Sequence, residues 1–375
     1  MSAQEISLSE NTEVSILTIG PGKQLYDSFG HSAFRIKDSE KRLDLIYNFG
    51  VYDFNTPNFY TKFAQGKLLY KLDTGNFGPF FDYYKRQNRF VKEQQLAITN
   101  EEKQALFEFL QNNAKPENRD YLYDFFYDNC ATKIRDVLTE VIGENLVYDD
   151  SYITEDYSYR ELIQKNVHSN TWGSFGMDVA IGAVVDKKAP PLDYQFLPEY
   201  IYKGAENASI NRNGTSEDLV KKTIVLFQNK ETKSKINFFT SPLFLFGLIS
   251  LLILFITFKD YKKNTRSRYL DASIFFITGL IGLFIFLLWL ATDHSSTANN
   301  YNLLWAFPFN ILLCFAIAKK NPKPWIRKYL IFLVLMIFLI CLHWMTGVQG
   351  FAIALIPLFI ALGIRYIYII STLKK

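Results

Sequence analysis

The chain has 375 residues, enough for more than one domain, with a formal net charge of +4 and 49% hydrophobic residues. The positive balance comes mainly from basic clusters between apolar runs, no RNA- or DNA-binding signature accompanies it, and no nucleic acid partner is expected. The three cysteines, Cys130, Cys314 and Cys341, have no metal-ligand spacing and two fall in apolar runs, so neither a metal site nor a disulfide framework is expected.

The chain starts Met1-Ser2-Ala3-Gln4-Glu5 with no apolar leader. A domain exported ahead of its first membrane span needs one, so the expectation is a signal peptide removed and a start methionine restored. Glu13–Gly20 reads as a strand and Pro21-Gly22 as a turn. His31–Ile36 and Leu43–Phe49 read as a β-hairpin across the polar run Lys37–Arg42. With Ile36 facing Leu43, Arg35 faces Asp44 and His31 faces Asn48, whose amide would then orient the imidazole. Phe54–Lys67 reads as a short helix and Leu68–Asp73 as a strand, and Tyr83–Ala97 alternates weakly. Asn100–Asn112 is a firm helix, capped at Thr99 with carboxylates on its first turn. Pro116–Tyr123, a loop or strand, leads to Cys130. Ala131–Glu140 is helical, with Ile134, Val137 and Leu138 on one face. Beyond it, Arg160–Ile163 suggests a short helix and Trp172–Gly182 a loop followed by another. Pro190, Pro191 and Pro198 punctuate an extended exit, and Gly204–Ser241, polar apart from Leu219–Phe227, reads as a connector.

Five segments follow that are apolar enough to cross a bilayer: Pro242–Phe258, Ala272–Thr292, Leu303–Ala318, Tyr329–Trp344 and Phe351–Ile370. Lys259, Lys262, Lys263, Arg266 and Arg268 lie between the first two spans. Lys319, Lys320, Lys323, Arg327 and Lys328 lie between the third and fourth, and Arg365, Lys374 and Lys375 near the end. The loops Asp293–Asn302 and Met345–Gly350 hold no Lys or Arg. The positive-inside rule puts the basic loops and the carboxyl terminus in the cytoplasm and the amino-terminal domain outside, in the periplasm of a Gram-negative cell. Asp293 and His294 form either a second proton-handling or headgroup site or part of a polar loop capping two helices. Pro308 is expected to kink the third span and open a crevice toward the outer leaflet.

Cys130 is the only cysteine before the apolar runs, and it falls on the first turn of a helix, where the helix dipole favours thiolate. Of the histidines in the amino-terminal half, His31 starts a strand, whereas His168 lies in a polar stretch without a structural frame. A thiolate, a base that can return the proton, a group orienting that base and donors for an oxyanion are what cysteine catalysis needs. Cys130, His31 and Asn48 fit the first three roles, and the Cys130 amide fits the fourth, with Asn129 or Ser32 in support. Histidine on a strand before cysteine at a helix start is the order of permuted papain-like (NlpC-type) α+β enzymes. The expected organisation is residues 1–202 as the cysteine domain, 203–241 as connector and 242–375 as a five-helix membrane domain.

The strings Ser28-Phe29-Gly30-His31-Ser32-Ala33-Phe34-Arg35, Tyr47-Asn48-Phe49-Gly50, Asn118-Arg119-Asp120-Tyr121 and Tyr127-Asp128-Asn129-Cys130-Ala131-Thr132-Lys133-Ile134-Arg135-Asp136 resemble the Lnb family of lipoprotein N-acyltransferases. So do Thr292-Asp293-His294 and Asn302-Leu303-Leu304-Trp305 in the membrane half. The resemblance implies an enzyme of the bacterial inner membrane that needs no cofactor. It would move an acyl chain from a membrane phospholipid, through a Cys130 thioester, to the α-amine of a diacylated lipoprotein. In that setting Arg119, Arg89 and Arg135 are candidate phosphate binders, and Phe125, Phe126 and Tyr127 suit either an acyl groove or an ordinary core. The same Cys–His pair would also serve a membrane-anchored peptidase or amidase acting on peptidoglycan, and a non-enzymatic envelope scaffold would not need it.

Overall fold

The computed structural model describes residues 6–230 and 237–373. The expectations that rest on Met1–Glu5, on 231–236 of the connector and on Lys374 and Lys375 lie outside these residues. In chain order the elements are β1 (Glu13–Ile19), β2 (His31–Asp38), β3 (Leu43–Val51), α1 (Phe59–Ala64), β4 (Leu69–Asn76), α2 (Phe77–Arg86), β5 (Val91–Leu96) and α3 (Asn100–Asn113). Then come β6 (Asp120–Leu122), α4 (Thr132–Ile142), β7 (Leu146–Tyr148), α5 (Tyr159–Asn166), α6 (Trp172–Ala180), α7 (Pro198–Glu206), β8 (Ala208–Arg212), β9 (Thr215–Asp218) and β10 (Val220–Phe227). The helices α8 (Pro242–Lys263), α9 (Arg268–Leu290), α10 (Asn310–Ile317), α11 (Trp325–Met345) and α12 (Ile356–Thr372) complete the chain. Two structural units result: Met1–Tyr157 with Ala189–Lys233, and Ser158–Lys188 with Ser234–Lys375.

The first unit is α+β. Its antiparallel sheet has seven strands in the order β10-β5-β1-β2-β3-β4-β6, and β7, β8 and β9 form a smaller sheet. One face of the large sheet presents Val14, Ile16, Phe34, Ile36, Tyr47 and Phe49 to Phe107 of α3, Ile134 and Leu138 of α4 and Ile201 of α7. The other face presents Leu17, Ile19, Ala33, Ile46 and Val91 to Phe77, Phe80, Phe81 and Tyr84 of α2. Cover on both faces explains why β1 and β2 are buried almost without alternation, polar Ser15, Thr18, Ser32 and Arg35 included. Each buried aromatic of this kind contributes about 1.5–3 kcal/mol.

The structure differs from the sequence expectations at several places in this unit. Helix α2 occupies part of a stretch expected to alternate weakly. Its Pro79 falls in the first turn, where backbone N–H groups have no intrahelical partner, so the ring removes no hydrogen bond. The expected extended exit is a 3-10 turn, Pro191–Phe196, followed by α7 with Pro198 at its first position. Much of the expected connector is sheet: β10 pairs with β5, and β8 with β7 and β9. Its charged sequence fits an edge strand, where lysines stand in solvent.

The second unit is helical. Four of its helices are long and apolar enough to cross a membrane: Pro242–Lys263, Arg268–Leu290, Trp325–Met345 and Ile353–Thr372. The third expected span, Leu303–Ala318, is not a continuous helix. It consists of a 3-10 turn, Tyr301–Leu304, an irregular stretch around Pro308, and α10, which is 8 residues long. Proline lacks the N–H that would join the two parts. The broken segment is held closely to α9. A β-carbon at Gly279 would lie 2.1 Å from Ile311 N, and one at Gly282 1.9 Å from Ala306 O. Side chains tie the broken segment into the bundle: Asn310 Nδ2 donates to Thr278 Oγ1 at 2.9 Å and the Tyr329 hydroxyl to Asn310 Oδ1 at 2.5 Å. Non-helical backbone at this depth is tolerated only where protein covers it in this way.

At one end of this bundle Arg266 Nη2 donates to the Ile317 and Lys319 carbonyls, so the α8–α9 turn adjoins the exit of α10. Arg365, expected as part of the basic carboxyl end, is instead fully buried there, bonded to Asp271 at 2.7 Å and Asp260 at 2.8 Å. At the other end, residues 158–188, expected as part of the cysteine domain, pack on the bundle. Arg160 pairs with Asp178 at 3.0 Å and Asp186 at 2.8 Å, and Asp186 accepts the Gly350 amide at 2.8 Å. Asn300 and Asn302 donate to the carbonyls of Val179 and Asp178, at 2.8 and 3.0 Å. These bonds satisfy the side chains named at this end, as burial away from water requires, while Arg266 Nη1 and Asp271 Oδ2 at the first end have no hydrogen-bond partner.

Candidate active site

His31 opens β2, directly after Gly30, whose φ of +85° and closeness to the Ile19 carbonyl (2.8 Å from a would-be β-carbon) leave no room for a side chain. The hairpin register pairs Phe34 with Tyr47, Arg35 with Ile46 and Ile36 with Leu45. The expected register, Ile36 opposite Leu43, is therefore off by two residues. A slip of two keeps every side chain on its expected face. Arg35 still bonds Asp44, at 2.8 Å, and His31 Nε2 donates to Asn48 Oδ1 at 2.5 Å, both across a diagonal rather than a rung. The imidazole also stacks on Tyr84 of α2, with centroids 6.2 Å apart and an interplanar angle of 30°.

Cys130 immediately precedes α4. Asn129 builds the turn that holds it. The Asn129 Oδ1 accepts the amides of Ala131 and Thr132 at 2.7 and 3.0 Å, and its Nδ2 donates to the carbonyls of Phe125 and Phe196 at 2.6 and 2.8 Å. The Asn129 carbonyl accepts the Lys133 amide at 3.0 Å, so the first helical turn wraps around the cysteine. Opposite, the β3–β4 ladder shifts register after Asn48, and Gly50 at φ +86° forms the bend. A β-carbon at Gly50 would touch both Cys130 Cβ at 3.4 Å and the Tyr123 ring at 3.7 Å. Strand and helix start thus meet through a glycine, as close approach demands.

The electrostatics of the pair run together. Burial pushes the Cys130 thiol up, but the His31 charge and hydrogen bond and the backbone amides of Ser32 and Cys130 pull it below its ordinary value. Burial pushes His31 down, while the facing Cys130 and the bond to Asn48 raise it above its ordinary value. Both shifts favour a thiolate–imidazolium pair. With Nε2 directed at Asn48, Nδ1 is the ring nitrogen left for the sulfur.

The structure therefore brings Cys130, His31 and Asn48 together, with the Ser32 amide. It gives other surroundings to the remaining residues. The Ser32 hydroxyl is buried without a hydrogen-bond partner, and the Asn129 side chain, engaged on four backbone groups, is not free to donate to an oxyanion. Arg89 is buried near His31 and bonds the Gly20 carbonyl at 2.7 Å, with Asp27 at 3.7 Å; its Nη2 has no partner. Arg135 pairs with Asp136 at 2.8 Å. Arg119 is half-buried and lies 3.8 Å from Asp120. Asp293 is exposed and His294 half-buried on the turn after α9 in the helical unit. His168 is exposed. Phe126 is core, packed against Phe196 at 5.0 Å, with Phe125 between Phe29 and Phe196. Tyr84 and Tyr123, which flank the pair, are absent from the sequence reading. Tyr84 closes the helical spacing Phe77, Phe80, Phe81, Tyr84 of α2, and Tyr123 lies in the aromatic run just before Cys130, so both carry a local signal that could have found them.

A sheet-and-helix domain carrying this pair, joined to a bundle with four membrane-length helices, is the plan of a membrane protein with a separate α+β domain. Residues 3–165 match the Lnb N-terminal periplasmic domain, and residues 232–375 match the Lnb transmembrane domain. The chain belongs to the Lnb family. No curated protein and no solved structure is significantly similar to it.

Proposed function

We propose that the protein is a lipoprotein N-acyltransferase of the bacterial inner membrane, with Cys130 as acyl carrier, a phospholipid as donor and a diacylated lipoprotein as acceptor. The observation that carries this reading is the His31–Cys130 pair with both groups shifted toward the charged state, in a chain of the Lnb family. The Cys130 thiolate attacks an ester carbonyl of the phospholipid. The tetrahedral oxyanion collapses, the C–S bond stays, and the glycerol oxygen leaves with the proton from His31 as a lysophospholipid. The lipoprotein's α-amine then attacks the thioester, His31 takes the amine proton, and the amide and free thiol result. Asn48 holds the ring so that Nδ1 keeps facing sulfur. The Cys130 and Ser32 amides are the nearest backbone donors for the oxyanion. The histidine-first order and the cysteine at a helix start support a permuted papain-like ancestry for the domain. The basic end of the bundle faces the cytoplasm on this reading, by the positive-inside rule.

The test uses purified full-length protein with phosphatidylethanolamine and a synthetic diacylated lipopeptide. The reading expects equal amounts of lysophospholipid and triacylated lipopeptide. Release of free fatty acid without acylated peptide would make it a phospholipase, and cleavage of peptidoglycan fragments would make it a peptidase.

A further inference from the structure

A continuous file of aromatic rings leads away from Cys130 to the surface of the first unit. Tyr123, beside Cys130 across Gly50, stacks on Tyr70 at 4.3 Å. Tyr70 meets Tyr52 at 5.3 Å, and Tyr52 meets Phe54 at 5.1 Å and Phe59 at 5.9 Å. Phe59 in turn contacts Tyr60 at 5.3 Å and Phe63 at 6.4 Å. The inner rings are half-buried, whereas Phe54, Tyr60 and Phe63 are 65%, 79% and 53% exposed. Rings so exposed do not serve the core, which lies on the faces of the large sheet.

Charge says what covers them. From Tyr52 to Lys71 the chain carries Lys62, Lys67 and Lys71 against one carboxylate, Asp53, at its start. Exposed aromatics interleaved with lysines are the composition of an element that lies in the headgroup region of an anionic bilayer, rings inward and ammonium groups on phosphate. A soluble peptide partner would not need the file to continue inward to the thiol.

We infer that Tyr52–Lys71 is the phospholipid-docking element, with Phe54, Tyr60 and Phe63 at the lipid surface and Tyr52, Tyr70 and Tyr123 as the track along which the donor acyl chain reaches Cys130. This rests on the reading of Cys130 as acyl carrier. It places the acyl subsite away from Phe125 and Phe126, whose rings are packed against Phe29 and Phe196.

The experiment compares acylation of full-length protein by two donors: phosphatidylglycerol in mixed micelles, which needs the element, and p-nitrophenyl butyrate, a soluble short ester that does not reach along the track. The readout is the ratio of the two rates for wild type, for Phe54→Asp with Phe63→Asp, for Tyr70→Ala, and for Val225→Asp on the exposed β10 edge. The inference expects the phospholipid-to-butyrate ratio to fall at least tenfold in the first two variants and to hold in the third. An unchanged ratio overturns it, whether because both rates persist or because both fall together with the fold. Slower transfer to the lipopeptide with unaltered acylation by phosphatidylglycerol also overturns it and makes the element the acceptor's site. If neither donor acylates the wild type, the reading of Cys130 itself fails.

Discussion

At the scale of residues, the chemistry rests on two mutually shifted groups. The sulfur ionises at lower pH and the imidazole keeps its proton to higher pH than either would alone, so each shift favours the ion pair. Alkylation of Cys130 by iodoacetamide should therefore rise at a pH below that of an ordinary thiol. In His31→Ala the attraction disappears while burial stays, and the rise should move above the ordinary value, with acyl transfer falling by about 10²–10⁴. Asn48→Ala should shift the alkaline limb of the activity profile to lower pH, because the Asn48 bond helps to raise His31. A merely structural role would lower activity without moving that limb. Gly50→Ala places a side chain at φ +86° against Cys130, and should cost about 1–2 kcal/mol of stability as well as activity. Cys130 and His31 were legible in the sequence because a thiol at a helix start and an imidazole at a strand start are local patterns. Tyr84 was not, since only the packing of α2 on the sheet brings it to His31, and Tyr123, though close to Cys130 in the chain, was not singled out from the aromatic run around it.

At the scale of elements, the hairpin shows how a wrong register can still give the right neighbours. Parity decides which face a strand residue takes, and an error of two preserves parity, so Arg35 and His31 keep Asp44 and Asn48 within diagonal reach. Helix α2 and strand β10 were harder to read. Strand β10 is anchored by its pairing with β5 and has no strong period of its own, whereas α2 does carry Phe77, Phe80, Phe81 and Tyr84 at helical spacing, but across Gly78 and Pro79, which read as breakers. Asn129 acts on the element rather than on the reaction. Asn129→Ala should lower the thermal midpoint of the first unit, by about 1–2 kcal/mol for the lost cap, with more from the two unpaired carbonyls. In the bundle, the third expected span is a broken segment held against small residues of α9. Gly282→Ala would push a methyl to within 1.9 Å of the Ala306 carbonyl. That backbone cannot yield cheaply, so the variant should show a clear loss of folded, monodisperse protein in detergent by size-exclusion chromatography.

At the scale of the whole molecule, the domain plan read from composition needed two adjustments. The sharp change to long apolar runs located the membrane helices well, because twenty apolar residues have few other uses. Composition could not show that 158–188 packs with those helices while 208–227 returns to the sheet, since both stretches are polar on average and are placed by specific bonds such as Arg160 to Asp178 and Asp186. The function proposed for the assembled chain requires an acyl group to pause on one sulfur. Peptide mapping by mass spectrometry, after incubation of the full-length protein with phospholipid alone, tests this most directly. The account predicts a fatty-acyl mass on the Cys130 peptide, removed by neutral hydroxylamine and lost when diacylated lipopeptide is added. Triacylated lipopeptide formed at the wild-type rate by Cys130→Ala, with no acyl mass on the protein, would contradict it.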